Sequence, residues 1–98
     1  MRGIRPDDGL SDILADVSEA SGVSVEQITG ESRKEEIRIA RQMFCYVARK
    51  TGKWSDEQIG TEITRDRTTV IHSCDVVENM LDTKEPNYTK LWNRILIS

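Results

Sequence analysis

Ninety-eight residues give one domain with room for a single apolar core, too little chain for a nucleotide-driven motor with a separate binding module. A composition of 37% hydrophobic and 32% charged residues, with two prolines and six glycines, excludes collagen-like and disordered classes. The net charge of −3 is the wrong sign for a generic polyanion binder, but it is unevenly spread: residues 1–30 carry two basic and six acidic groups, whereas residues 31–54 carry seven basic groups against three acidic ones.

Residues 1–11 mix Arg, Gly, Pro and Asp without a sustained period and are expected to be a flexible leader ahead of one domain over residues 12–98. Ile13, Leu14, Val17 and Ala20 then recur at helical spacing, which predicts a first helix over about residues 12–21 with Ser11 as N-cap and Gly22 as the stop. Ser24 to Gln27 reads as a capping box opening one short turn of helix that ends near Gly30, anchored by Val23, Val25 and Ile28. The longest periodic stretch, from about Lys34 to Thr51, repeats Ile37, Ala40, Phe44, Val47 and Ala48 at three and four residues, so it is expected to be the central helix, with Gly52 beyond its end. On another stripe of that helix Arg38, Arg41, Cys45 and Arg49 follow the same spacing, which predicts a ridge of three guanidinium groups suited to phosphates.

A second capping box, Ser55 to Gln58, opens a short helix that ends near Ile63. Asp66 then stands as the N-cap of a long amphipathic helix over about residues 67–82, marked by Val70, Cys74, Val77 and Leu81. Two helices joined by about three residues have the spacing of a helix-turn-helix. Glu85-Pro86 starts a closing helix carrying Tyr88, Leu91, Trp92 and Ile95, with Pro in the first turn, where its missing N–H costs nothing. The expected fold class is therefore all-α, a small helical bundle containing a helix-turn-helix.

The front of the second helix of that pair is where chemistry concentrates. A recognition helix presents its first residues to base edges in the major groove, where a cation can bind guanine, a carboxylate can accept from cytosine N4, and a threonine methyl can meet a thymine methyl. Arg65, Asp66, Arg67 and Thr68 supply all three, and Thr69 and His72, three residues apart, offer a hydroxyl and an imidazole to phosphate oxygens. Cys45 and Cys74 lie inside predicted helices with no C-x-x-C pattern and read as small core residues; with one histidine in the chain, no metal site and no cofactor are expected. His72, Ser73, Cys74 and Asp75 are consecutive on a helix and point in different directions, which is no triad geometry, so no enzyme is expected. The chain has no run of roughly 20 apolar residues and no secretory signal, which points to a cytoplasmic, nucleoid-associated protein without a membrane partner.

The segment Thr64-Arg65-Asp66-Arg67-Thr68-Thr69-Val70-Ile71-His72 resembles the Gly-Arg-Asp-His-Thr-Thr-Val-x-His pattern in the C-terminal DNA-binding domain (domain IV) of the bacterial replication initiator DnaA. Two further blocks of that family are met in order: an Arg eight residues ahead of an Arg-Gln pair, here Arg33 and Arg41-Gln42, and Ser-x-x-x-Ile-Gly, here Ser55 to Gly60. The resemblance covers roughly residues 12–96 and implies a Trp-repressor-like helical fold that binds double-stranded DNA at origin or regulatory sites in replication initiation. It implies Arg33 in the minor groove, Asp66, Arg67 and Thr68 at bases behind the basic turn of Arg65, and Arg41, Gln42, Arg49, Thr69 and His72 at phosphates.

The departures from the pattern are specific. Arg67 replaces the family's histidine and favours guanine. The turn before Arg65 is one residue shorter and uses Ile63-Thr64 in place of a Gly-Gly pair; Glu35 stands where a basic residue is common, and Asp56-Glu57 occupy positions that usually approach phosphate. No Gly-x-x-x-x-Gly-Lys-Ser/Thr loop occurs, so the chain is read as a stand-alone or excised domain without ATPase activity, with duplex DNA and other replication or regulatory proteins as expected partners. The alternative is a protein-interaction module that kept the fold and lost DNA binding, for which the acidic net charge, Glu35 and Asp56-Glu57 speak.

Overall fold

A computed structural model describes residues 9–97. It contains six helices, α1 (Leu10–Ser21), α2 (Val25–Thr29), α3 (Glu35–Thr51), α4 (Asp56–Glu62), α5 (Arg67–Asp82) and α6 (Pro86–Ile97), and no strand among the described residues. No helix in this range is long and apolar enough to cross a membrane. Of the expected leader, residues 1–8 lie outside the described residues. Leu10 and Ser11 belong instead to the first turn of α1, because Gly9 is the N-cap and Asp12 reaches back to accept its N–H at 2.9 Å.

α3 is the axis of the domain. Ten of its residues are buried, and Ala40, Met43, Phe44, Cys45 and Ala48 are fully enclosed. It is wrapped by Ile13, Leu14 and Val17 of α1, Ile28 of α2, Ile59 of α4, Val70, Cys74 and Val77 of α5, and Tyr88, Leu91 and Ile95 of α6. A helix enclosed on most of its circumference needs more than one apolar stripe, which is why Ile39, Met43 and Tyr46 are buried alongside the predicted positions. Both cysteines are free and buried, and burial pushes the Cys45 thiol up to about 12, so it stays protonated and acts as a small core residue.

The elbow between α4 and α5 fixes how the second helix of the pair is presented. Ser55 caps α4 by accepting from the Gln58 N–H at 3.1 Å, while Gln58 returns an acceptor to the Ser55 N–H at 2.9 Å. At the other end the Thr64 N–H donates to Thr61 and the Arg65 N–H donates to Gly60 at 2.8 Å, the paired bonds of a Schellman stop. The stop requires a left-handed residue, and Thr64 takes it at φ 61°. A β-branched residue has no easy access to that region, which costs roughly 1–2 kcal/mol. One turn earlier, α5 begins so close to α4 that a Cβ on Gly60 would lie 2.5 Å from the Arg65 carbonyl oxygen and 3.0 Å from that of Asp66.

Two substitutions test the elbow. Thr64→Gly removes the left-handed strain at the expense of a more flexible unfolded chain, and is expected to stabilise by about 1 kcal/mol, raising the melting temperature by about 4–8 °C. A melting temperature that stays level or falls would show that the turn carries no strain. Gly60→Ala must push backbone apart, so circular dichroism melts are expected to show a loss of about 1–3 kcal/mol; a neutral result would mean that α4 and α5 separate without cost.

Candidate nucleic-acid interface

The sequence Asp66-Arg67-Thr68-Thr69 starts α5 at the surface. Asp66 is its N-cap and accepts the Thr69 N–H at 2.8 Å. Hydrogen bonds from the Thr69 backbone, and then from its side chain, hold the Asp66 carboxyl below the usual carboxylate range, so it is ionised at neutral pH. The cap leaves Asp66, Arg67 and Thr68 exposed at the tip of the helix, Thr69 half-buried, and His72 exposed one turn further along. Neither the Arg67 nor the His72 side chain makes a hydrogen bond or ion pair among the described residues. Ser73 and Cys74 face the core, which leaves His72 and Asp75 exposed on either side of them.

Beside this tip lies the loop between α2 and α3, residues 30–34, and two arginines hold it there. The Arg41 side chain leaves α3 inward, with the residue 8% exposed; its Nε donates to the Ile28 carbonyl at 2.7 Å. Its Nη2 faces the carbonyls of Gln27, Gly30 and Ser32 at 3.1–3.2 Å. Arg65, from the elbow, donates Nη2 to the same Gly30 carbonyl at 2.6 Å and Nη1 to the carbonyls of Ile63 and Thr64. Arg41, Arg65 and Arg33 converge with Glu31 and Ser32 on a polar cleft. Desolvation, followed by repulsion from Arg65, pulls the Arg41 pKa below the usual arginine value, yet a guanidinium among carbonyl oxygens keeps its charge.

The expected ridge of three exposed guanidiniums is therefore corrected. Arg41 and Cys45, the middle of that stripe, point into the protein, because the carbonyls at the end of α2 need donors and α3 passes directly beneath them. Arg38 and Arg49 remain exposed at the two ends. Gln42 is half-buried and accepts the Tyr88 hydroxyl on Oε1 at 2.7 Å, which leaves its amide N–H groups as donors. Arg49 pairs with Asp56 at 3.3 Å and lies against the Cys74 thiol. Arg33 stands exposed on the clamped loop, with no ion pair among the described residues.

The structure thus gathers Arg65, Asp66, Arg67, Thr68 and His72 at one tip, sets Arg33 on the loop bolted to it, and leaves Arg38, Gln42 and Arg49 distributed along α3. Sequence reasoning missed the partners, namely the Ile28, Gly30 and Ser32 carbonyls that accept from Arg41 and the Tyr88 hydroxyl that donates to Gln42. A loop of Gly, Glu and Ser whose carbonyls belong to no helix or strand was the available signal. No group of three or more His, Cys, Asp or Glu residues that could hold a metal ion occurs among the described residues.

The family described as bacterial dnaA protein helix-turn-helix matches residues 10–77. The chain is similar to the chromosomal replication initiator protein DnaA of Picosynechococcus sp., with 39% identity over 84 residues, which is 85% of this chain and 18% of that protein. It is likewise similar to DnaA of Rippkaea orientalis, 41% identical over 69% of this chain and 15% of the relative, and to DnaA of Streptococcus equi subsp. zooepidemicus, 34% identical over 78% and 17%. The chain thus spans less than a fifth of the length of these relatives.

Removing the clamp has a measurable cost. Arg41→Ala deprives four carbonyls of a charged donor, and urea denaturation is expected to show a loss of about 2–4 kcal/mol. Arg41→Lys is expected to recover little of it, since an ammonium cannot span the same carbonyls as a planar fork. A loss under about 0.5 kcal/mol would mean that water serves the loop equally well.

Proposed function

The chain belongs to the bacterial DnaA helix-turn-helix family, and from that membership we propose that it binds double-stranded DNA in a sequence-dependent manner, at origin or regulatory sites connected with replication initiation. The observation that carries this reading is the exposed start of α5, where the side chains of Arg67, Thr68 and His72 make no hydrogen bond or ion pair among the described residues while the Arg33 loop is fixed beside them through Arg65.

A helix tip of this width enters the major groove, and a cation on the neighbouring loop can then follow the strand into the adjacent minor groove. Asp66, Arg67 and Thr68 face base edges in this arrangement, with Arg65 supporting them from the elbow. Arg38, Gln42, Arg49, Thr69 and His72 supply donors for phosphates, and Arg41 acts from behind by shaping the loop. Nothing in this mechanism calls on nucleotide hydrolysis or a metal. Binding of this kind places the protein at the nucleoid.

Arg67 is the residue that sets this chain's preference. A free guanidinium at the first position of α5 matches the O6 and N7 acceptors of guanine, a bidentate pair that discriminates by about 1–3 kcal/mol. Selection from random duplexes is expected to return sites with a G·C pair under that position. Arg67→Ala is expected to weaken the selected duplex about 10–100-fold, with scrambled duplexes little changed. Equal weakening on every duplex would assign Arg67 to phosphate instead. No binding to any duplex at low salt would favour an interaction domain built on the same fold, the reading for which the net charge of −3 speaks.

A further inference from the structure

Near the C-terminal end of α3 two cations are exposed, Lys50 over the Tyr46 ring and Arg49, and Arg49 does not stand alone. Asp56, the first residue of α4, meets its Nε at 3.3 Å, with the Arg49 side chain 46% and the Asp56 side chain 20% exposed. The pair joins the last turn of one helix to the first turn of the next, across residues 52–55, so the two charges are held together by the backbone more than by their side chains. Asp75 adds a second carboxylate to the surroundings of Arg49, and Glu57 extends the acidic start of α4. A phosphate approaching Arg49 therefore meets a cation whose charge is already answered, and a carboxylate beside it.

Resting on the duplex-binding reading above, we propose that Asp56 is an affinity-setting residue: its carboxylate occupies Arg49 in the free protein and keeps phosphate contact at this corner weak. The effect falls on affinity for all duplexes, because backbone contacts carry no sequence information, and leaves the base preference to the tip of α5. It also gives the chain's negative charge a location, since one carboxylate placed on a phosphate-facing cation does more than several dispersed over the far side.

Fluorescence anisotropy over a range of salt concentrations, on a selected and a scrambled duplex, tests the proposal. Asp56→Asn keeps the Ser55–Gln58 capping box, so it is expected to fold, with a melting temperature lowered by only a few degrees for the lost surface pair. It is expected to bind both duplexes about fivefold more tightly, since a surface ion pair is worth up to about that factor. The dependence of log affinity on log salt should steepen by about 0.9, the signature of one additional phosphate contact. Arg49→Ala in the Asp56→Asn background is expected to erase both gains, and Glu57→Gln, which removes an equal charge from the same turn but not the partner of Arg49, is expected to give a smaller gain in affinity and no steepening. Binding by the parent protein with no gain for Asp56→Asn overturns the proposal alone, as does an equal gain for Glu57→Gln. Absence of binding by both the parent and Asp56→Asn at low salt overturns the duplex-binding reading and this proposal with it.

Discussion

Two guanidinium groups converge on the carbonyl oxygen of Gly30, one from the central helix and one from the elbow of the helix-turn-helix. Each carries a fixed fork of donors, and the loop between α2 and α3 has carbonyls that no helix or strand satisfies. The clamp closes that deficit, and its consequence is positional. Arg33 sits on the clamped loop, and Arg65 belongs to the turn that launches α5, so the loop and the recognition helix are joined through one backbone oxygen instead of moving separately. Burying Arg41 beside a second cation is unfavourable for the charges alone, as its lowered pKa shows. The four carbonyls around it offset that cost.

The elbow reaches its geometry by an unusual division of labour. Gly60 lies in the body of α4, where a glycine is ordinarily a weakness, because α5 must start within van der Waals reach of that helix. The left-handed stop that would suit a glycine is filled by Thr64. The same stop recurs at the end of α5, where Lys84 takes φ 59° and the Glu85 N–H donates back to Met80. Glu85 then caps α6 through the Asn87 and Tyr88 N–H groups. Both turns are paid for in backbone strain and recovered through hydrogen bonds and tight packing. The elbow is therefore shaped by where the helices must meet, with local preference overridden.

How much of this was legible depended on how local the signal was. The Ser24, Ser55 and Asp66 caps, the Gly52 stop and Pro86 at a first turn act within four residues, and helices begin and end there as the sequence reads. The start of α1 was misplaced by two residues, because Asp12 selects Gly9 as the cap and Ser11 has no such partner three residues on. The exposed tip of α5 was legible for the same reason as its cap. Arg41 was not, since spacing alone assigns it to the stripe of Arg38 and Arg49. What turns it inward is a set of carbonyls nine to fourteen residues away in the chain, invisible to any helical period.

That failure bears on how charge should be read in so small a domain. Counting cations along α3 suggests a continuous positive edge, yet one of its arginines serves the backbone and another faces a carboxylate 3.3 Å away. Among the described arginines, those whose side chains make no hydrogen bond or ion pair are Arg33, Arg38 and Arg67, at the loop, the start of α3 and the tip of α5. A phosphate chain responds to the field within about a Debye length, roughly 8–10 Å at ordinary salt. Three well-placed guanidiniums on a rigid platform therefore matter more to it than the sign of the whole molecule. An acidic domain in which several cations are engaged by backbone carbonyls, a carboxylate or an aromatic ring relies less on non-specific attraction than a basic one does. In the proposed duplex-binding role, its affinity would then come to a larger extent from base contacts, through the residues that the Gly30 clamp holds in register.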